Sequence, residues 1–381
     1  MPFNALTGRI SARLSELEKH GQMRTLACAL GINFCSNDYL GLSIHPLLRD
    51  AVREGVEHCQ RMGATGSRLL SGHHPIWDEL ENVFAAYAGT EAALFFNSGY
   101  AANTGLLSSI LGSEDVVFSD QLNHASIIDG IRLSRAQKVI YPHNDLNFLE
   151  DGLRRHAHNS RLGLIVTESI FSMDGDRASL RELFDLAERY GAGIVVDEAH
   201  ATGVYGPRGR GLVAELGLEQ RALAILHTCS KALASAGAFV AGSVMLKRFL
   251  VNHARSFIFS TALPPHLAFQ IRAALTLAAS MDTERTHLSA MAEQLRCRLC
   301  SLGFDYGLSD THIVPLMVPG NRAALDMASA LRESGFAVRA IRPPTVPPGT
   351  ERLRLSLTVR LAREDMERFA EALLRAHLVH G

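Results

Sequence analysis

The chain has 381 residues, 47% of them apolar, and its 38 Lys and Arg residues nearly balance 39 Asp and Glu residues. This composition excludes a disordered or low-complexity chain, and the near-zero charge argues against nucleic acid and anionic lipid as partners. No apolar run reaches the roughly 20 residues of a membrane span, and residues 1–17 lack a secretion signal, so we expect a cytoplasmic protein that acts on small molecules.

Alternating strands and helices are the main feature of the first two thirds of the chain. Residues 75–112 predict a helix, a strand at Ala92–Phe96 and a second helix beginning near Gly99. Further apolar runs, separated by amphipathic stretches such as 180–190, lie at 116–118, 139–141, 162–167, 193–196, 223–226 and 239–245. Because these runs are continuous rather than alternating, they predict strands covered on both faces, in an α/β domain with a mostly parallel sheet of about seven strands.

The pattern changes after Pro264 and Pro265. An alanine- and leucine-rich stretch up to Leu302 predicts one long helix or two, and residues 303–381 mix short strands and helices as in an α+β domain. The strands are predicted at 312–318 and 352–357 and the helices at 322–334 and 362–378. We therefore predict an N-terminal arm at 1–45, a large α/β domain at 46–270 and a smaller C-terminal α+β domain at 271–381.

Six cysteines are scattered along the chain, and only Cys297 and Cys300 lie close together. This pair falls in the predicted long helix and has no second Cys or His pair nearby, whereas structural zinc needs four ligands. We therefore expect neither a disulfide framework nor a metal site.

Lysine is scarce, with only Lys19, Lys138, Lys231 and Lys247 in the whole chain. Lys231 follows a predicted strand and is flanked by hydroxyl and small side chains in TCSKALASAG, residues 228–237. Such surroundings make Lys231 a candidate Schiff-base amine, because no neighbouring carboxylate marks it as a solvated surface charge. A surface lysine on a loop is the alternative, and the general use of arginine in this chain weakens it.

Asp197 ends an apolar run and begins the sequence DEAH. An acid at the carboxyl end of a buried parallel strand lies where open α/β sheets bind ligands. A carboxylate there could keep a pyridine nitrogen protonated, as pyridoxal chemistry requires, or it could cap the next helix. His200 could hydrogen-bond the same ring or a loop carbonyl.

Two turns at predicted helix starts complete the set of candidate residues. The NSGY turn at 97–100 places Gly99 at a helix N-terminus, where backbone N–H groups can bind phosphate; it is not a P-loop, which argues against nucleoside triphosphates. The NHAS turn at 123–126 places His124 at the next one. His124 could stack on a planar cofactor or serve only the structure.

Together these segments resemble the α-oxoamine synthases, a family of fold-type I pyridoxal 5'-phosphate (PLP) enzymes, over nearly the whole chain. The matching segments are SNDYLGL at 36–42, GATGSR at 63–68, NSGY at 97–100, NHAS at 123–126, FSMDGD at 171–176, DEAH at 197–200 with Gly203, TCSK at 228–231, and ST at 260–261 before Pro264 and Pro265. Because these motifs occur in the family's order, the resemblance implies a fold-type I PLP-dependent transferase.

The resemblance also implies roles for the residues around the cofactor ring. Lys231 would form the internal aldimine, and Asp197 would pair with the pyridine nitrogen. His124 would stack on the ring, while His200 and Ser172 would lie near its phenolic oxygen. These assignments make Lys231, His124, Asp197 and His200 the expected catalytic residues.

The remaining cofactor contacts implied by the family surround the phosphate. Gly99, Tyr100 and Thr228 would bind it within one subunit, and Ser260 and Thr261 would reach it from a second subunit. The family therefore implies a homodimer with active sites at the interface.

The substrate contacts carried over from the family are Arg354 and Asn37 for the amino acid carboxylate, with Arg24 and Thr345 elsewhere on the substrate. A guanidinium fork suits bidentate carboxylate binding. Two departures from the family pattern are visible: most of a short hairpin is missing between Arg24 and Asn37, and alanines at 234 and 236 replace glycines that often follow the lysine.

Within the family, residues 340–350, AIRPPTVPPGT, followed by RLRLS at 352–356, look most like the branch that serves biotin biosynthesis. That branch condenses L-alanine with a pimeloyl thioester, of CoA or of a carrier protein, with loss of CO2. The alternatives are another family member, such as one that uses glycine and acetyl-CoA, and a non-catalytic partner subunit, which would be expected to lack Lys231.

Overall fold

The computed structural model describes residues 2–156 and 163–380 and divides the chain into two compact units. The first unit contains Asp38–Ser172 and Arg177–Thr286, and the second contains the residues up to Asn37, Met173–Asp176 and those from His287 onward. These limits differ from the predicted boundaries at 45 and 270. The N-terminal segment groups with the C-terminal residues, and the boundary near residue 286 falls inside a helix.

The helices and strands of both units follow in chain order. The α-helices are α1 (Pro2–Lys19), α2 (Pro46–His58), α3 (Pro75–Ala88), α4 (Gly99–Ile110), α5 (Ala125–Ser134), α6 (Leu146–His156), α7 (Leu180–Arg189), α8 (Leu212–Glu215), α9 (Val244–His253), α10 (Arg255–Ile258), α11 (Leu267–Ser280), α12 (Asp282–Ser301), α13 (Asn321–Glu333) and α14 (Arg363–His380). The strands are β1 (Ile32–Asn33), β2 (Ala92–Phe96), β3 (Val116–Asp120), β4 (Gln137–Tyr141), β5 (Gly163–Glu168), β6 (Gly193–Asp197), β7 (Ala224–Thr228), β8 (Ala238–Gly242), β9 (Ile313–Met317), β10 (Phe336–Ala337), β11 (Ala340–Ile341) and β12 (Arg352–Ser356).

A seven-stranded sheet in the order β2-β8-β7-β6-β5-β3-β4 forms the centre of the first unit. Only β8 runs against its neighbours β2 and β7, so the prediction of a mostly parallel α/β sheet is confirmed. The prediction of a strand at 239–245 is wrong at the carboxyl end, because the strand stops at Gly242. The chain leaves β8 after Gly242 because the Ser243 side chain accepts the Leu246 N–H and caps α9. The predicted start of β5 at 162 lies outside the described residues.

The sheet brings the carboxyl ends of its central strands to one edge. Glu168 at the end of β5 is in register with Asp197 at the end of β6, and Thr228 ends the adjacent strand β7. Residues 194–196 of β6 are apolar and buried, as is most of β7, so the sheet fixes these polar ends firmly. This edge carries the candidate site.

The second unit contains an antiparallel sheet of β11, β12 and β9 and a separate parallel pair of β1 with β10. Its strands β9 and β12 and helices α13 and α14 agree with the elements predicted there. The alanine-rich stretch forms two helices, α11 and α12, separated at Met281. Among the helices the structure describes, none is long and apolar enough to span a membrane.

Candidate active site

Asp197 is held from two sides at the end of β6. Its Oδ1 accepts the Ala199 backbone N–H at 2.9 Å, and its Oδ2 accepts the Asn103 side-chain N–H at 2.7 Å. The residue is only 5% exposed. A buried carboxylate with fixed oxygens can pair with a cationic ring nitrogen. The alternative role as a helix cap is wrong, because a turn rather than a helix follows Asp197 and the Ala199 contact belongs to that turn.

Lys231 and His200 are brought together in the same unit. The Lys231 Nζ lies 2.8 Å from His200 Nε2, and His200 Nδ1 lies 2.6 Å from the hydroxyl of Tyr39, which is completely buried. Tyr39 belongs to the SNDYLGL motif, but no role was assigned to it from the sequence. Ala234, at a position where glycine is common in the family, adopts a φ of 45°, and a Cβ costs about 1 kcal/mol in that left-handed region.

The turn at the start of α4 and the end of β7 lie against each other. The Ser98 side chain caps α4 by accepting the Ala101 N–H at 3.1 Å. A Cβ on Gly99 would stand 2.7 Å from Thr228 Cγ2, so only glycine permits this approach. Tyr100 donates its hydroxyl to Asp129, and that hydrogen bond raises its pKa. The free N–H groups of a helix start beside a threonine hydroxyl are suited to phosphate.

His124 caps helix α5. Its Nδ1 accepts the Ser126 backbone N–H at 3.2 Å and lies 2.8 Å from the Ser126 hydroxyl. The side chain is accessible to solvent, but partial desolvation lowers its pKa, Lys231 lowers it further and Asp197 opposes the shift. Histidine also caps α2 and α3, at His45 and His74.

Glu168 is a site residue that the sequence analysis did not single out. It is 2% exposed beside Asp197, and burial, with the neighbouring Asp197 charge, raises its pKa to about 8. Burial therefore favours the protonated form of this carboxyl. It ends an apolar run just as Asp197 does, so the same sequence signal could have identified it.

Ser260 and Thr261 lie beside the NSGY turn of their own chain. The Asn97 side chain donates to the Thr261 carbonyl at 2.6 Å, and the Ala262 N–H donates to the Gly66 carbonyl at 2.9 Å. Ser172, which is 8% exposed, belongs to the same first unit. These contacts are within one chain and leave the predicted reach into a second subunit untested.

The second unit holds the predicted substrate residues in two pairs. Arg354 Nη1 donates to the Asn37 amide oxygen at 3.1 Å and to the Ser356 hydroxyl at 2.6 Å. Arg24 Nη2 donates to the Thr345 hydroxyl at 3.2 Å. The structure therefore brings the two members of each pair into contact. The Arg354 pair surrounds a buried guanidinium, and the Arg24 pair lies on an exposed loop.

The residues of the first unit fit the predicted cofactor. They provide a buried carboxylate for a ring nitrogen, an amine for a Schiff base and a helix start whose glycine cannot bear a side chain. Among the described residues, no group of three or more His, Cys, Asp or Glu could hold a metal ion. These residues provide the functional groups that a PLP site requires.

The comparisons with known proteins agree with this fit. The chain matches the family described as aminotransferase class I and II over residues 30–373. It is 44% identical to a protein of Geobacter sulfurreducens named 8-amino-7-oxononanoate synthase, over 97% of this chain and 98% of the relative. A protein of the same name from Azoarcus sp. is 42% identical over the full length of both chains.

Solved structures share the fold. The 8-amino-7-oxononanoate synthase of Francisella tularensis superposes with a TM-score of 0.79 and 26% identity, covering 92% of this chain and 98% of that chain. A serine palmitoyltransferase from S. paucimobilis, solved with a bound PLP–myriocin aldimine, gives a TM-score of 0.90 and 29% identity, covering 98% of this chain and 97% of that chain. The overlap therefore extends through both units.

Proposed function

Because this chain belongs to the aminotransferase class I and II family of PLP enzymes, we propose that it condenses L-alanine with a pimeloyl thioester. The products are 8-amino-7-oxononanoate, CO2 and the free thiol of CoA or of a carrier protein, which makes it an acyltransferase of biotin biosynthesis. Full-length identity of 42–44% to relatives of that name supports the reaction. The observation that carries the chemistry is Lys231 Nζ, 2.8 Å from His200 in the unit that also buries Asp197.

Pyridoxal phosphate supplies an electron sink for the negative charge that develops at the amino acid Cα. We assign Lys231 as its covalent anchor and Asp197 as the group that keeps its ring nitrogen protonated. His124 holds the face of the ring, and His200 and Ser172 hold the phenolic oxygen.

The phosphate contacts come from the turn described above. Gly99 and Tyr100 offer backbone N–H groups at the start of α4, and Thr228 offers its hydroxyl. We assign Ser260 and Thr261 to the phosphate of the other subunit, as the family implies.

Lys231 also moves the proton. Once the amino group of alanine has displaced Lys231 from its covalent link, the neutral amine would take the α-proton of alanine, whereas a guanidinium remains charged and cannot act as a base. The electron pair left at Cα forms a bond to the thioester carbonyl carbon while the C–S bond breaks, and the sulfur leaves as a thiolate that takes a proton from solvent. The resulting β-keto acid loses CO2, and Lys231 returns a proton to Cα.

The substrate contacts are assigned to the second unit. Arg354, oriented by Asn37 and Ser356, would hold the alanine carboxylate. Four prolines between residues 343 and 348 restrict the backbone of the adjoining loop, which carries Thr345. A stiff loop is suited to measuring a long acyl chain, so we assign it, with Arg24, to the pimeloyl group.

A homodimer in the cytoplasm is the proposed working state. Exposed apolar side chains lie on the two segments joined by the Gly66–Ala262 hydrogen bond: Met62 at 54%, Leu70 at 85% and Phe259 at 70% exposure. Neighbouring large apolar side chains of this kind mark interaction surfaces. A second copy covering them would also bring active-site segments of two chains together.

Purified protein loaded with PLP should form the amino ketone from L-alanine and pimeloyl-CoA, detected by mass spectrometry. We expect kcat/KM to be at least about tenfold higher than with acetyl-CoA, equivalent to about 1.4 kcal/mol of transition-state preference. Lys231→Ala should abolish turnover, whereas Lys138→Ala, at an exposed lysine, should not. Equal use of both donors, or a preference for glycine over alanine, would assign the chain to an activity such as 2-amino-3-ketobutyrate CoA ligase.

A further inference from the structure

The hydrogen bonds at His124 identify which of its ring nitrogens carries the proton. A backbone N–H can only donate, so the Ser126 N–H at 3.2 Å makes His124 Nδ1 an acceptor. The ring is then neutral, with its proton on Nε2. The Ser126 hydroxyl, 2.8 Å from the same nitrogen, must also donate to it.

Asn103 connects this histidine to Asp197. Its amide nitrogen donates to the Ser126 hydroxyl at 2.9 Å and to Asp197 Oδ2 at 2.7 Å, from a position on α4 that is 1% exposed. The Asn103 amide cannot be flipped, because its oxygen would then face an oxygen of the Asp197 carboxylate. The Ser126 hydroxyl, which accepts from Asn103, is thereby left to donate to His124.

We propose that Asn103 and Ser126 are positioning residues that fix His124 as the neutral tautomer with its proton on Nε2. His124 then presents a hydrogen-bond donor, not a proton acceptor, on the ring nitrogen opposite Ser126. The role of this nitrogen in the reaction rests on the proposed function. The position of the proton follows from the hydrogen bonds alone. One amide thus orients both the Asp197 carboxylate and the His124 ring.

The charged and titratable groups around His124 are Asp197 on β6, Glu168 on β5, Lys231 after β7 and Tyr100 on α4. Asp197 raises the pKa of His124, while desolvation and Lys231 lower it. The lowered pKa agrees with a neutral ring. Loss of the Ser126 hydroxyl, which donates to Nδ1, would destabilise the neutral form of His124 and raise its pKa.

Modification by diethyl pyrocarbonate tests the assignment in cofactor-free protein, because the reagent attacks the ring nitrogen that has a free lone pair. Ser126→Ala should accelerate modification of His124 by about three- to tenfold, the value of one hydrogen bond, and move its pH midpoint upward. Peptide mass mapping gives the rate at each histidine. His45 and His74, whose Nδ1 atoms accept a backbone N–H from residues 47 and 76, are references within each sample.

Ser109→Ala is the matched control, because the Ser109 hydroxyl donates to the Leu106 carbonyl on the same helix as Asn103. It should leave the His124 rate unchanged. Asn103→Ala should accelerate the modification less than Ser126→Ala does; if it does not fold, Ser126→Ala alone decides. An unchanged His124 rate and midpoint in Ser126→Ala would overturn the proposal. Because no turnover is measured, that result is distinct from failure of the proposed reaction.

Discussion

Replacing Glu198 by glutamine should make the stability of this protein less dependent on pH. Glu198 follows β6 directly, is completely buried and accepts the Val213 N–H at 3.1 Å. Burial raises the pKa of its carboxyl from 4.5 to about 8. Glutamine keeps the acceptor oxygen for Val213 and cannot ionise, so the variant loses the pH dependence of stability that this carboxyl contributes.

The sign and size follow from proton linkage. The folded state keeps this proton up to about pH 8, whereas the unfolded chain releases it near pH 4.5. The stabilising contribution is therefore complete below pH 4.5 and is lost as the pH rises to about 8. At about 1.4 kcal/mol per pH unit, raising the pH from 5.5 to 7.5 removes about 3 kcal/mol of unfolding free energy through Glu198. Glu168 acts in the same direction, whereas burial lowers the pKa of His227 to about 3, so His227 acts in the opposite direction between these pH values; the variant should therefore lose clearly less stability than the wild type.

Urea unfolding of cofactor-free protein at pH 5.5 and 7.5 measures this difference. The single tryptophan, Trp77, is 1% exposed and stacked on Phe95, so its fluorescence reports loss of the core. Glu182→Gln, at an exposed position on α7, is the control and should keep the wild-type dependence. The reasoning is refuted if Glu198→Gln loses as much stability between the two pH values as the wild type does.

The other predictions concern the site. Borohydride reduction of the loaded enzyme should attach the cofactor to Lys231 in peptide maps, and modification of Lys138 or Lys247 instead would contradict the assignment. Asp197→Asn should fold but lose most exchange of the alanine α-deuteron, because an amide cannot stabilise a cationic ring nitrogen as a carboxylate does; exchange at the wild-type rate would show that Asp197 serves only to hold the turn after β6. Mixing Lys231→Ala with Thr261→Ala subunits should restore activity by creating one intact site per mixed dimer, and no recovery after confirmed subunit exchange would argue against a shared site.

The sheet and several site residues could be predicted because they depend on local signals. Each central strand is a run of buried apolar residues, and Asp197 stands where such a run ends. Asn103 and Ser126 could not be found in this way. They act through other side chains, and only the placement of α4 and α5 shows that they join Asp197 to His124.

The grouping of the N-terminal segment with the C-terminal residues was also beyond the sequence pattern. Its strand β1 has two residues and pairs with β10, so that Ile32 lies opposite Phe336. A strand that short has no periodicity to detect, and its partner lies about 300 residues away along the chain. The pairing becomes visible only when the fold is complete.

The position of β8 has a consequence for how this protein acquires its cofactor site during folding. Ala238, the first residue of β8, lies opposite Phe96 on one side and Thr228 on the other. It therefore links β2, which precedes Gly99, to β7, which ends at Thr228. Two strands separated by about 130 residues of chain are brought together by a third that is synthesised last, so this contact forms late. A nascent chain that ends before residue 238 contains the turn at Gly99 and the strand that ends at Thr228, but it lacks the strand that pairs with both β2 and β7. Affinity for the phosphate therefore arises together with the tertiary fold, and the cofactor draws the folding equilibrium toward the native state by mass action.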